Sequence, residues 1–148
     1  MTQYISQDLR RQVMERANFI CEYCLLHDDE SHFGCEVDHI ISLKHDGPTD
    51  LENLAYACLR CNRHKGTDLG SINWQTRQLV RFFNPRIDRW SEHLELRGAE
   101  IFSLTEIGEA TARIFGFNSP RRLKERSLLM KVGLYPSAEA MAVMGKTS

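Results

Sequence analysis

Residues 36–66, EVDHIISLKHDGPTDLENLAYACLRCNRHKG, decide how the rest of the chain is read. The stretch opens with an acid beside a histidine, Asp38 and His39. Asn53 stands alone in its middle. It closes on Cys58-Leu-Arg-Cys61-Asn62-Arg-His64-Lys65, a cysteine pair that runs straight into polar residues. A second pair, Cys21-Glu-Tyr-Cys24, lies upstream. Two CxxC pairs can close one tetrahedral zinc site. The polar side chains between and beside them are of the kinds that hold a hard metal and move a proton.

Cys21, Cys24, Cys58 and Cys61 are therefore expected to hold a zinc ion. Four thiolates fill the tetrahedron, so this metal is structural and closed to substrate. It would tie the end of a first helix to the start of a later one, a staple that a small core needs. The gap between the pairs exceeds the common ribbon spacing, so an inserted element must fit there, and that element is the Asp-His stretch itself. The competing interpretation is four buried free thiols. The fifth cysteine, Cys35, reads as an ordinary buried thiol.

The chain has 148 residues, which suits one domain or a small domain with an appendage. Three segments are expected: a core over 1–70, an extension over 71–135 and a flexible tail over 136–148. No apolar run reaches the ~20 residues of a membrane helix. The N-terminal residues carry no apolar signal region, and the odd cysteine count argues against a disulfide framework. Both features predict a cytoplasmic protein. Net charge is −1, which argues against purely electrostatic nucleic-acid binding. The charge is unevenly spread, however. Residues 22–52 hold nine acids against Lys44, whereas 60–89 and 113–131 are basic. Basic blocks can track a phosphate backbone, or can be plain solvated helix faces.

Periodicity gives the coarse structure. Ser6 is placed to cap a helix through Ile20. A strand is expected to end near His39, followed by a turn at Asp46-Gly47-Pro48. A helical turn and a short strand follow over 51–57, then a helix from Leu59 that Gly66 stops. Trp74 to Phe83 reads as an amphipathic helix ended by Asn84-Pro85. A hairpin is expected around Arg97-Gly98, a helix capped by Thr105, and another opened by Ser119-Pro120.

Asp38, His39, Asn53 and Asn62 form the catalytic candidate, because zinc closure forces strand and late helix together. Neighbours on a straight strand point to opposite faces. Asp38 and His39 can thus serve one site only if the chain leaves strand geometry at about His39. His27, His32, His45 and His93 read as surface or satisfied residues, although His32 and His45 flank the site.

The segment CEYC…EVDHI…DLENLAYACLRCNRHKG resembles the HNH, or ββα-metal, endonucleases in their zinc-containing branch. The later NPRIDRWSEH…GAEIFSLTEIGEATARI…YP looks like the C-terminal extension of small bacterial HNH proteins. The resemblance implies an α+β fold: a ββα-metal core stapled by the four-cysteine zinc, an N-terminal helix, and a C-terminal hairpin-plus-helices extension. It implies that His39 is the general base, Asp38 a ligand of a catalytic divalent metal, and Asn53 the residue that ties down the loop. The third motif position falls on Asn62, as in HNN variants, or on His64. The two lie on nearly opposite sides of a helix, and Asn62 is favoured because Lys65 shares its face. Lys65, Arg63 and His64 are the expected substrate contacts. The implied reaction is phosphodiester hydrolysis of DNA, double-stranded in the first instance, assisted by Mg²⁺ or Mn²⁺. The alternative is an inactive, zinc-stapled module that binds nucleic acid without cutting it, or one that uses zinc only to fold.

Overall fold

The strand signal around Val37 becomes β1 (Cys35–His39), which pairs antiparallel with β2 (Leu54–Cys58). The register sets Val37 against Tyr56, Asp38 against Ala55 and His39 against Leu54. Every residue of β2 is buried, which requires cover on both faces. Because side chains alternate along a strand, Leu54 and Tyr56 share one face and Ala55 and Ala57 the other. On the first face, α1 (Gln7–Arg16) supplies Val13 and, from its end, Ala17. On the second lies the main core, which includes the cysteines, Phe82, Trp90, Phe115 and Ala140.

The computed structural model describes residues 4–145. Ser6 caps α1 by accepting from Leu9 N, as its sequence position suggests. The helix ends at Arg16 rather than Ile20, because Asn18 and Phe19 adopt φ of 52° and 63°. That left-handed pair turns the chain toward the first cysteine knuckle. After β2, α2 (Leu59–Lys65) follows without a break, and Gly66 stops it at φ 52°. The elements β1, β2 and α2 make up a ββα unit.

The expected helix over 74–83 is absent. In its place β3 (Gly70–Asn73) and β4 (Gln78–Arg81) form a hairpin. Asn73 Oδ1 accepts from Gln75 N, and Arg77 takes φ 61°, so the turn is built from local polar bonds. Gly70 lies so close to Val80 O that a Cβ would fall 2.3 Å from it, a second reason for a sheet here. A short α3 (Trp90–His93) leads into the hairpin of β5 (Leu94–Arg97) and β6 (Glu100–Ser103), with Gly98 at φ 58°. Thr105 caps α4 (Glu106–Ile114), and Pro120 opens α5 (Pro120–Lys131). The segment expected as a flexible tail includes residues 138–143. There Ser137 caps α6 (Ala138–Val143), which buries Ala140 and is followed by buried Met144. Residues 146–148 of that tail, like residues 1–3, lie outside the described residues. Among the described residues no helix is long and apolar enough to cross a membrane.

The later elements grip the ββα unit through buried polar contacts. Trp90 Nε1 donates to Tyr23 O at 2.8 Å, and Tyr135 Oη donates to Cys24 O at 2.9 Å. Arg86 pairs with Glu22 and also donates to Leu54 O. The basic blocks are thus partly consumed as internal struts, since Arg86, Arg122 and Arg126 brace backbone rather than face solvent.

Candidate functional site

Two chemically distinct centres flank α2. At its first turn, Cys21, Cys24, Cys58 and Cys61 converge, all buried, with their sulfurs within 4.8 Å of one another. Cys24 and Cys58 place their sulfurs 3.7 Å apart. A tetrahedron with Zn–S bonds of about 2.3 Å has sulfur–sulfur edges of about 3.8 Å, so the donor set fits zinc. Cys24 N donates to Cys21 Sγ at 3.5 Å, the amide-to-sulfur contact expected of a knuckle. Burial pushes the Cys21 and Cys61 thiols well up, while hydrogen bonds from the other cysteines, Cys21 first, hold Cys24 well down. A zinc ion is what would let all four ionise together.

Arg122, on α5, completes this centre. It is 5% exposed and donates from Nη2 to Cys61 Sγ at 3.2 Å and from Nη1 to Phe115 O at 2.7 Å. Burial acts to lower its affinity for the proton, but the cysteine sulfurs, Cys61 foremost, raise it on balance. No signal in the sequence marked Arg122, because it lies 61 residues beyond its sulfur partner.

The second centre lies at the end of β1. Asp38 and Lys65 are close, with Asp38 Oδ2 3.6 Å from the ammonium. Lys65 is only 3% exposed, and its Nζ donates to His39 O at 3.0 Å. Burial moves both members toward their neutral forms: it raises Asp38 and lowers Lys65, and each partner's charge opposes that shift in the other. Asp38 Oδ2 is buried and has no hydrogen bond among the described residues. Such an oxygen fits a cation ligand. Tyr23 Oη is orphaned in the same way, and its phenol is held well up by burial and then by the charge of Asp38.

His39 turns to a different partner. Its Nε2 lies 2.8 Å from Thr49 Oγ1, in the loop after the Asp46-Gly47-Pro48 turn. Strand pairing ends at His39, where the sequence required the chain to leave strand geometry. Asn53 is buried and fixes that loop with three bonds. Its Oδ1 accepts from Ile41 N at 2.9 Å, and its Nδ2 donates to Ile41 O at 2.8 Å and Pro48 O at 2.9 Å. Gly47 sits against Ile41 O and the Asn53 amide, which leaves no room for a side chain.

The remaining expected site residues divide along α2. Asn62 is half-buried, one turn before Lys65. His64 is exposed, and its ring packs beside Gly116, on the side of the C-terminal elements. Arg63 is exposed. Lys65, expected to meet a phosphate, instead turns inward, because its stem continues the buried face that Cys61 begins. Thr49 and Arg122 are the functional candidates that the sequence left unmarked.

Residues 21–68 match the family model of the HNH endonucleases, about a third of the chain. No curated protein and no solved structure matches the chain. The matched segment contains both cysteine pairs, Asp38, His39, Asn53 and Asn62. The four cysteines gathered at one point within the matched segment are consistent with an HNH segment of the zinc-containing kind. The family is one of nucleases, with nucleic acid as the general substrate class.

Proposed function

We propose that the chain is a metal-dependent endonuclease that hydrolyses phosphodiester bonds of DNA, with double-stranded DNA as its first substrate. The observation that supports it is the Asp38–His39 pair at the end of β1, where Asp38 presents a buried oxygen without a hydrogen bond among the described residues. His39 is the general base. With its proton on Nε2 and donated to Thr49 Oγ1, the ring would keep its Nδ1 lone pair to take the proton of the attacking water. Asn53 fixes the loop that carries Thr49, and Lys65 fixes the strand end through His39 O. Asp38 and Asn62 would hold Mg²⁺ or Mn²⁺, which when bound stabilises charge on the scissile phosphate and the leaving oxygen. Two protein ligands leave the rest of such a shell to water and phosphate. Arg63, exposed on α2, supplies charge to the backbone without a role in proton transfer.

A second reading, the inactive nucleic-acid-binding module, is favoured by Lys65, whose ammonium already neutralises Asp38 from 3.6 Å. Nicking of supercoiled plasmid, with and without Mg²⁺ or Mn²⁺, decides between them. Metal-dependent nicking is expected. His39→Ala should keep its zinc and its DNA affinity and cut at least about a hundredfold more slowly. A variant that nicks at the wild-type rate removes His39 from the mechanism. A wild-type protein that shifts DNA in a gel but never nicks it establishes the second reading.

A further inference from the structure

On the far side of α2 from Asp38, a cleft opens between residues 26–33, α2 and α5. Its volume is about 440 Å³, the scale of a small-ligand site. One helical face explains its position. Leu59, Arg60 and Arg63 turn toward the cleft, while Lys65 turns to Asp38.

Two observations point to an anionic occupant. Arg122 and Arg126 line the cleft although they are only 5% and 4% exposed. Arg126 donates to Ala99 O, Phe117 O and Asn118 Oδ1 and has no carboxylate partner among the described residues, whereas the charge of Arg122 is already met by the Cys61 sulfur. At the rim, Arg60 and Arg121 share a single carboxylate, Glu125, at 2.8 and 3.5 Å. Arg63 adds a further exposed guanidinium. The arginines therefore outnumber the two acids of the lining, Glu30 and Glu125.

The cleft also has an apolar, aromatic side. Leu26, Leu59, Leu128 and Leu129 line it, and Phe33 stands at its edge 69% exposed. A guanidinium fork suits phosphate, and an exposed ring beside leucines suits a flat heterocycle. A base still paired and stacked in a duplex cannot enter a cleft of this size, because its edges and faces are already covered.

We propose that this cleft holds one unpaired nucleotide of a DNA strand. Its phosphate sits on Arg60, Arg63 and Arg121, and its base lies against Phe33 and the leucines. The proposal rests on the DNA reading above and narrows it: the protein favours DNA with a single-stranded element, such as a flap, a gap or a free strand, beside the strand it cuts.

Fluorescence anisotropy of the full-length, zinc-loaded protein tests this without added divalent metal. The probes are a labelled oligothymidine and a blunt duplex of equal length. Arg121→Glu and Phe33→Ala alter exposed rim positions, and zinc content checks that each variant keeps its core. Each should weaken binding of the single strand about tenfold and change duplex binding less than about threefold. Phe33→Trp should retain the single-strand affinity. Equal losses on both probes, or no loss on the single strand, overturn the cleft assignment while leaving the DNA reading in place. A wild-type protein that binds neither probe overturns both.

Discussion

Replacing Arg122 by Leu tests whether the C-terminal elements help hold the zinc centre. The guanidinium bridges Cys61 Sγ at 3.2 Å and Phe115 O at 2.7 Å from a buried position. A hydrogen bond to a charged group contributes about 1.5–3 kcal/mol, and an orphaned buried carbonyl costs about 1–3 kcal/mol. Leucine keeps part of the apolar stem, so both figures are taken near their low ends. The expected loss is about 3 kcal/mol, a large share of the ~5–15 kcal/mol that holds a domain together. The thiolate part alone corresponds to about ten- to a hundredfold weaker zinc binding. A tetrathiolate zinc centre carries a net charge of about −2, and Arg122 is the cation in contact with it. Urea denaturation of the zinc-loaded protein reads the stability. Competition with a coloured chelator reads the metal. Arg122→Lys should fall between, because it keeps the charge and loses the fork. If Arg122→Leu releases zinc at the wild-type rate, the guanidinium is no counter-charge to the cluster and serves only to brace backbone.

Asn62→Ala should abolish Mn²⁺ binding in calorimetry while His64→Ala keeps most of it, since His64 packs beside Gly116; the reverse result would move the third motif position to His64. Gly47→Ala places a Cβ 1.7 Å from Ile41 O and 2.8 Å from Asn53 Nδ2, so it should cost at least about 3 kcal/mol in a urea melt, and a melt within about 1 kcal/mol of wild type would show that the loop can shift. The hydrogen bonds from Arg81 hold Asp88 below its ordinary 3.8, so its contribution is complete above that value and fades as pH falls through the lower folded value. Asp88→Asn should therefore lose about 1–2 kcal/mol near neutral pH, discounted because Arg81 is half-exposed, and the gap from wild type should narrow as pH falls below the ordinary carboxylate value; a gap that stays constant in acid would exclude the ionised pair as its source.

The sequence by itself determined what local chemistry fixes. The cysteine spacing announced a four-sulfur cluster, and the structure gathers those sulfurs within 4.8 Å. Ser6 and Thr105 announced their helices because a side-chain oxygen needs only the amide three residues on. Gly66 announced the end of α2 because it alone takes φ 52° cheaply. Asp38, His39 and Asn53 were legible as a group, since a short strand, a turn and a second strand bring them to one end of a hairpin.

Tertiary packing decided the rest. Trp74, Leu79, Val80 and Phe83 satisfy a helical period, yet Trp74 and Leu79 are exposed and the segment pairs as β3 and β4. Its partner is α4, which packs on both strands from some thirty residues downstream. The tail around Ala140 has no period of its own, and it becomes helix because the main core offers a place for Ala140. Lys65 looked like a phosphate contact until burial turned it onto Asp38 and His39 O. Arg122 looked like one charge in a basic run, and only the docking of α5 sets it on Cys61. Spacing along a chain encodes turns, caps and ligand pairs a few residues apart. Which face of a helix meets which distant sulfur, carbonyl or carboxylate depends on surfaces that exist only once the layers have packed.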